Sequence, residues 1–236
     1  MKKYKFIILI FIGFIFVVCG LYLGGQNEIQ KLIPNEIQEF ESNINYSLKD
    51  NYSIEEINAL NIDVMSAKIE VIEKNKKDVA VKVSDKDYCE IFLDDNCLNI
   101  KQNNSWIDKN KTLNIVIEVP ENYMFESTSL KTGFGQLIVS SVNTIYLDAK
   151  VGAGELKVLN LNIRNGMKID CGIGNVDVKL KSQLVDFGYK VDCGMGNVVI
   201  GDDEYSGVAQ SQSVIDDKDC FIDINCGMGN VKIKEE

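Results

Sequence analysis

A phrase repeats along this chain, and it constrains folding more than composition does. Ile169-Asp170-Cys171-Gly172-Ile173-Gly174-Asn175-Val176 returns as Val191-Asp192-Cys193-Gly194-Met195-Gly196-Asn197-Val198. It returns again as Ile224-Asn225-Cys226-Gly227-Met228-Gly229-Asn230-Val231. Two looser copies precede these, Lys131-Thr132-Gly133-Phe134-Gly135-Gln136-Leu137 and Lys150-Val151-Gly152-Ala153-Gly154-Glu155-Leu156. So short a unit cannot bury an apolar face alone, so its copies must stack and share one. The first glycines are 19, 20, 22 and 33 residues apart. Each step has the length of one turn of stacked β-structure, and the last has room for an inserted loop from Gly201 to Asp219.

Alternation supports strands from Ile54 onward. Leu60-Asn61-Ile62-Asp63-Val64, Ala67-Lys68-Ile69-Glu70-Val71 and Val79-Ala80-Val81-Lys82-Val83 all carry the period of two that one buried face requires. With Ile169 and Cys171 inward, the copies stack into apolar or small inward columns. These are Leu130/Ala149/Ile169/Val191/Ile224, Thr132/Val151/Cys171/Cys193/Cys226, Leu137/Leu156/Val176/Val198/Val231 and Val139/Val158/Val178/Ile200/Ile233. The outward column Lys131/Lys150/Asp170/Asp192/Asn225 is polar, and a slip of one residue would bury it. Gly133, Gly135, Gly152, Gly154, Gly172, Gly174, Gly194, Gly196, Gly227 and Gly229 then mark corners. They serve there as residues that permit positive φ or close backbone approach.

The N-terminus differs. No charge interrupts Phe6 to Asn27, and Phe6 to Leu23 is mostly Phe, Ile, Leu and Val, enough helix to span a bilayer. Lys2, Lys3 and Lys5 precede it, and Glu28, Glu36, Glu39 and Glu41 follow, which leaves the N-terminus cytoplasmic and the bulk outside. Cys19 suits a lipoprotein signal poorly, with Val18 before it, and no convincing small-x-small cleavage site is present. The expected organisation is a cytoplasmic tip and transmembrane anchor over 1–25, a helical juxtamembrane stalk over 26–53, and an all-β solenoid over 54–236. Localisation follows as single-pass in the cell membrane, with the C-terminal domain extracytoplasmic.

The segments Ile57 to Val64, Ala67 to Val71 and Leu113 to Pro120, followed by the Gly-x-Gly phrases, resemble the bacterial putative-adhesin family. This β-strand-repeat family of unknown function is found behind single anchors and in Lia-type cell-envelope-stress proteins. The resemblance covers Ile54 to Glu236 and implies a right-handed β-helix-like ectodomain with no established activity. The chain departs from the family pattern by placing Cys at an inward position and Met or Ile between the glycines.

Several chemistries are excluded at once. The sequence has no histidine, which removes Ser-His-Asp and Cys-His catalysis and most zinc sites. Beyond the basic tip, 22 basic groups face 35 acidic ones, which repels nucleic acid. The Gly-x-Gly phrases lack the lysine and following helix of a phosphate loop. Three features remain for binding. Cys171, Cys193 and Cys226 fit core packing, a disulfide or a soft-metal site, packing being the simplest. Phe134, Ala153, Ile173, Met195 and Met228 sit between the glycines, and form either core or an outward apolar stripe for a partner. Asp202, Asp203, Glu204, Asp216, Asp217 and Asp219 solvate the inserted loop or hold calcium loosely. No catalytic residue, metal or cofactor is called for. The expected function is a non-catalytic envelope interaction or regulatory module that meets another envelope or membrane protein, with homo-oligomerisation open. A surface adhesin that binds a glycan or a host ligand is the alternative, and a polysaccharide-active enzyme comes third.

Overall fold

The structure, a computed structural model, describes residues 46, 48–102, 113–184, 187–214 and 220–235. They fall within one compact unit, Ile44–Glu236. The anchor and most of the stalk lie outside the described residues, as does Trp106, the only tryptophan of the sequence. No helix among the described residues is long and apolar enough to cross a membrane. Leu48–Ser53, assigned from sequence to the stalk, is strand β1.

The chain then runs through β2 (Ala59–Val64), β3 (Ala67–Lys74), β4 (Asp78–Val83), β5 (Cys89–Asp94), β6 (Cys97–Gln102) and β7 (Leu113–Pro120). Next come β8 (Phe125–Thr132), β9 (Gln136–Val139), β10 (Val142–Val151), β11 (Glu155–Cys171) and β12 (Asn175–Leu180). The last four are β13 (Phe187–Ile200), β14 (Asp203–Val214), β15 (Cys220–Cys226) and β16 (Asn230–Glu235). The only helical elements among the described residues are two 3₁₀ turns, Ile54–Glu56 and Lys86–Tyr88. Alternation explains the strands: Leu60, Ile62 and Val64 are buried, and Asn61 and Asp63 between them are not.

The described residues are all-β, but the sequential right-handed solenoid is not what forms, and the expected transmembrane helix lies outside the described residues. The sixteen strands of the described residues join one sheet, and β11, β12, β16, β13 and β15 pair in a closed ring of five parallel strands. The copies do not stack in chain order. β15 lies between β11 and β13, pairing Cys226 with Cys171 on one side and with Cys193 on the other. β16 likewise lies between β12 and β13. At the other end, β2 lies between β8 and β6.

Edge occupancy is the physical reason. The segment expected to be an inserted loop is mostly β14, a hairpin partner antiparallel to β13 from Ile200↔Asp203 to Tyr189↔Val214. Gly201, at φ +59, makes the reversal. β14 covers one whole edge of β13, so the final copy can pair only on the edge facing β11 and β12. The opposite end repeats the device. β5 covers β6 through a two-residue turn in which Asp95 and Asn96 both have positive φ, and β4 covers β7.

The core is a continuous apolar interior. Ile62, Ile69, Ile115, Leu130, Leu137, Ala149, Val158, Ile169, Val178, Ile224 and Ile233 are fully buried.

Candidate functional site

The site grows from the corner between the two limbs of each repeat. Backbone bonds run through it without a break: Ala153 N–H donates to Gly133 O (2.6 Å), Ile173 to Gly152 (2.7 Å), Met228 to Gly172 (2.7 Å) and Met195 to Gly227 (2.7 Å). Those bonds set the order of the residues between the glycines as Phe134, Ala153, Ile173, Met228, Met195.

That order brings the corners so close that side chains cannot fit between them. A Cβ on Gly174 would lie 2.1 Å from Gly154 O, one on Gly229 2.2 Å from Gly174 O, and one on Gly196 2.1 Å from Gly229 O. The corner glycines therefore answer to close approach; the only glycine with positive φ among the described residues is Gly201. Gly133 is the exception, with nothing within 4 Å of a would-be Cβ.

The residue between the glycines points to solvent. Phe134 is 76% exposed, Ile173 56%, Met195 47% and Met228 41%, and Ala153 is exposed with them. At the strand spacing of about 4.8 Å this is an unbroken apolar row along the stack. Met65 continues it as a half-buried residue at the preceding corner, where β2 pairs with β8. Sequence reading passes over Met65 because its corner is only Met65-Ser66, without flanking glycines. Pairing Val64 with Thr132 is the signal that finds it.

Polar ladders border the row on both sides. One is the outward column, in the order Lys131, Lys150, Asp170, Asn225, Asp192. Its charges are matched: Lys131 with Asp63 (2.9 Å), Lys150 with Asp148 (2.7 Å), Lys168 with Asp170 (3.4 Å) and Lys190 with Asp192 (2.9 Å). Asn225 Nδ2 donates to Asp170 Oδ1 at 3.0 Å, and Ser211 Oγ to Asp192 Oδ1 at 2.6 Å. The other border is Gln136, Glu155, Asn175, Asn230 and Asn197. Gln136 donates to Glu155 (2.5 Å) and Asn230 to Asn175 (2.9 Å). Between the first ladder and the row, where the first glycines carry no side chain, runs an open groove of about 820 Å³.

Beneath the corner lies the cysteine column. Cys171, Cys226 and Cys193 are 3%, 3% and 2% exposed, and all three line the groove. The Cys226 thiol, donating to the Cys171 sulfur, holds Cys171 below the usual thiol range despite burial, and the Gly174 N–H assists. Cys226 itself is pushed up, by that bond first and by burial second. Burial also raises Cys193. Cys89, buried elsewhere beside Glu90, is pushed up to about 12. Among the described residues no group of three His, Cys, Asp or Glu is placed to hold a metal ion. Of the loop acids, Asp202, Asp203 and Glu204 are exposed, and Asp203 accepts a 2.5 Å bond from Tyr189 Oη. Asp216, Asp217 and Asp219 lie outside the described residues.

No protein-family model matches the chain, and neither does any curated protein. Solved structures do resemble it. A putative cell adhesion protein from Clostridium sporogenes is 17% identical with a TM-score of 0.48, over 80% of this chain and 99% of that one. A putative adhesin from Parabacteroides merdae is 12% identical with a TM-score of 0.36, over 79% and 80%. A putative lipid binding protein from Parabacteroides distasonis is 13% identical with a TM-score of 0.32, over 79% and 96%.

Proposed function

We propose that the chain is a non-catalytic binding module, anchored in the cell membrane and facing outward, which engages another envelope or membrane protein through the Phe134–Met195 row. One observation carries this reading: exposed apolar side chains aligned on consecutive strands, bordered on both sides by hydrogen-bonded polar ladders. An apolar centre with a polar rim is the anatomy of a protein interface. Water exacts a cost for every such exposed row, and folding alone gives no reason to build it.

Catalysis is disfavoured by the same geometry. The carboxylates beside the groove, Asp148, Asp170 and Asp192, each sit against a lysine two residues away, and Glu155 sits 2.8 Å from Lys157. Each of these carboxylates is engaged by a lysine rather than set opposite a second carboxylate. Glycan binding is a second reading with its own observation. Tyr146 and Phe221 are exposed on strands that both pair with Gly166, offering two aromatic rings across a glycine.

Two variants of the full chain, expressed in native membranes, separate the readings. One carries Phe134→Ser, Ile173→Ser, Met195→Ser and Met228→Ser; the other carries Tyr146→Ser and Phe221→Ser. The expected result is a membrane protein that co-purifies with the native chain and the second variant and is lost from the first. Equal retention by the first variant overturns the protein-binding reading. Glycan capture abolished only in the second variant establishes the alternative.

A further inference from the structure

We propose that Cys171, Cys226 and Cys193 form a redox site in which a single disulfide closes, always through Cys226, with either Cys171 or Cys193 as its partner. The proposal goes beyond the binding reading and does not depend on it.

The stacking order makes the pairing selective. Cys226 is in register with Cys171 on one side and with Cys193 on the other. Neighbouring strands lie about 4.8 Å apart, inside the Cα separation that a disulfide spans, roughly 4.4 to 6.8 Å. Cys171 and Cys193 are two strands apart, about 9.6 Å, beyond that reach. Chain order alone would put Cys193 in the middle and predict the opposite hub. The register sets the three side chains in one buried column with Cys226 in the middle. All three line the groove, where a small oxidant can approach.

The chemistry balances with a two-electron oxidant of the diazene or disulfide class. The Cys171 sulfur, as thiolate, gives an electron pair to the oxidant and forms a covalent adduct. The Cys226 sulfur then attacks the Cys171 sulfur as its proton passes to the departing atom of the oxidant; the S–S bond forms, the bond from Cys171 to the oxidant breaks, and the reduced oxidant leaves with the two protons. The remaining thiol, Cys193, can attack Cys226 and release Cys171, moving the bond one strand without net oxidation. In-register neighbours hold their Cβ atoms about 4.8 Å apart, against a mean of about 3.8 Å in disulfides. Closure therefore pulls the strands together, and such a strained bond is readily reduced.

Disulfide mapping of the full chain in detergent tests this. The reduced protein is titrated with diamide, alkylated, digested without reduction, and analysed by mass spectrometry. Peptides joined as Cys171–Cys226 and Cys193–Cys226 are expected, with no Cys171–Cys193 link. Cys171→Ser leaves only the second link, Cys193→Ser only the first, and Cys226→Ser neither. The native chain alone decides the matter if Cys226→Ser fails to fold. A Cys171–Cys193 link, or a column that stays fully alkylated while diamide is consumed, overturns the proposal.

Discussion

The two faces of the glycine corner are written in the same phrase and meet opposite surroundings. Inside, Cys171, Cys226 and Cys193 stack among Ile169, Val176 and their counterparts, exposed only at the edges that line the groove. Outside, Ile173, Met228 and Met195, only two residues further on, stand in water. The inward column is accounted for by burial, since small apolar side chains belong in a core. The outward row gains nothing from folding, so a reason for it must come from what it meets. Position relative to the glycine, rather than hydrophobicity, separates architecture from function here.

The comparison can be broken most easily at the glycines. Gly174→Ala would place a Cβ 2.1 Å from Gly154 O and force adjacent strands apart, costing on the order of 3 kcal/mol in urea unfolding. Gly133→Ala meets nothing within 4 Å and should shift stability by no more than about 0.5 kcal/mol. Equal losses at the two would show that the corner glycines serve something other than close approach.

A pair of isoleucines sharpens the contrast between inside and outside. Ile169 is fully buried, and Ile169→Ala should cost about 2 to 5 kcal/mol through lost burial and the cavity left behind. Ile173, four residues later and 56% exposed, should lose less than about 0.5 kcal/mol on the same substitution. Thermal unfolding of both variants reads the difference. Comparable destabilisation would mean that the stripe packs against the fold after all.

Much of this was legible in the sequence, and the reason for the remainder is specific. Alternation such as Leu60-Asn61-Ile62-Asp63-Val64 announces a strand with one buried face, and alignment of the copies predicts which residues share a column. Cys171 does align with Cys226, and Asp170 with Asn225. What alignment cannot supply is order, because parallel in-register copies offer equivalent edges and any copy pairs acceptably with any other. Order is decided by which edge is already covered, and β14 covers the one that matters. Its segment, Asp203-Glu204-Tyr205-Ser206-Gly207-Val208, lacks the apolar alternation that marks the other strands. As a terminal strand it has less need of it, and so it passes for a loop. The exposed row was visible as a column, but its direction turned on corner geometry that sequence spacing does not contain.

The proposed contact surface is the outward row. A photoactivatable crosslinker placed in turn at positions 173, 195 and 228 of the full chain in native membranes tests this, with the exposed Lys179 position as control. The prediction is one protein adduct of constant mass from all three row positions and none from position 179. No adduct from the row, an adduct equally strong from position 179, or a product consisting only of a second copy of this chain would contradict it.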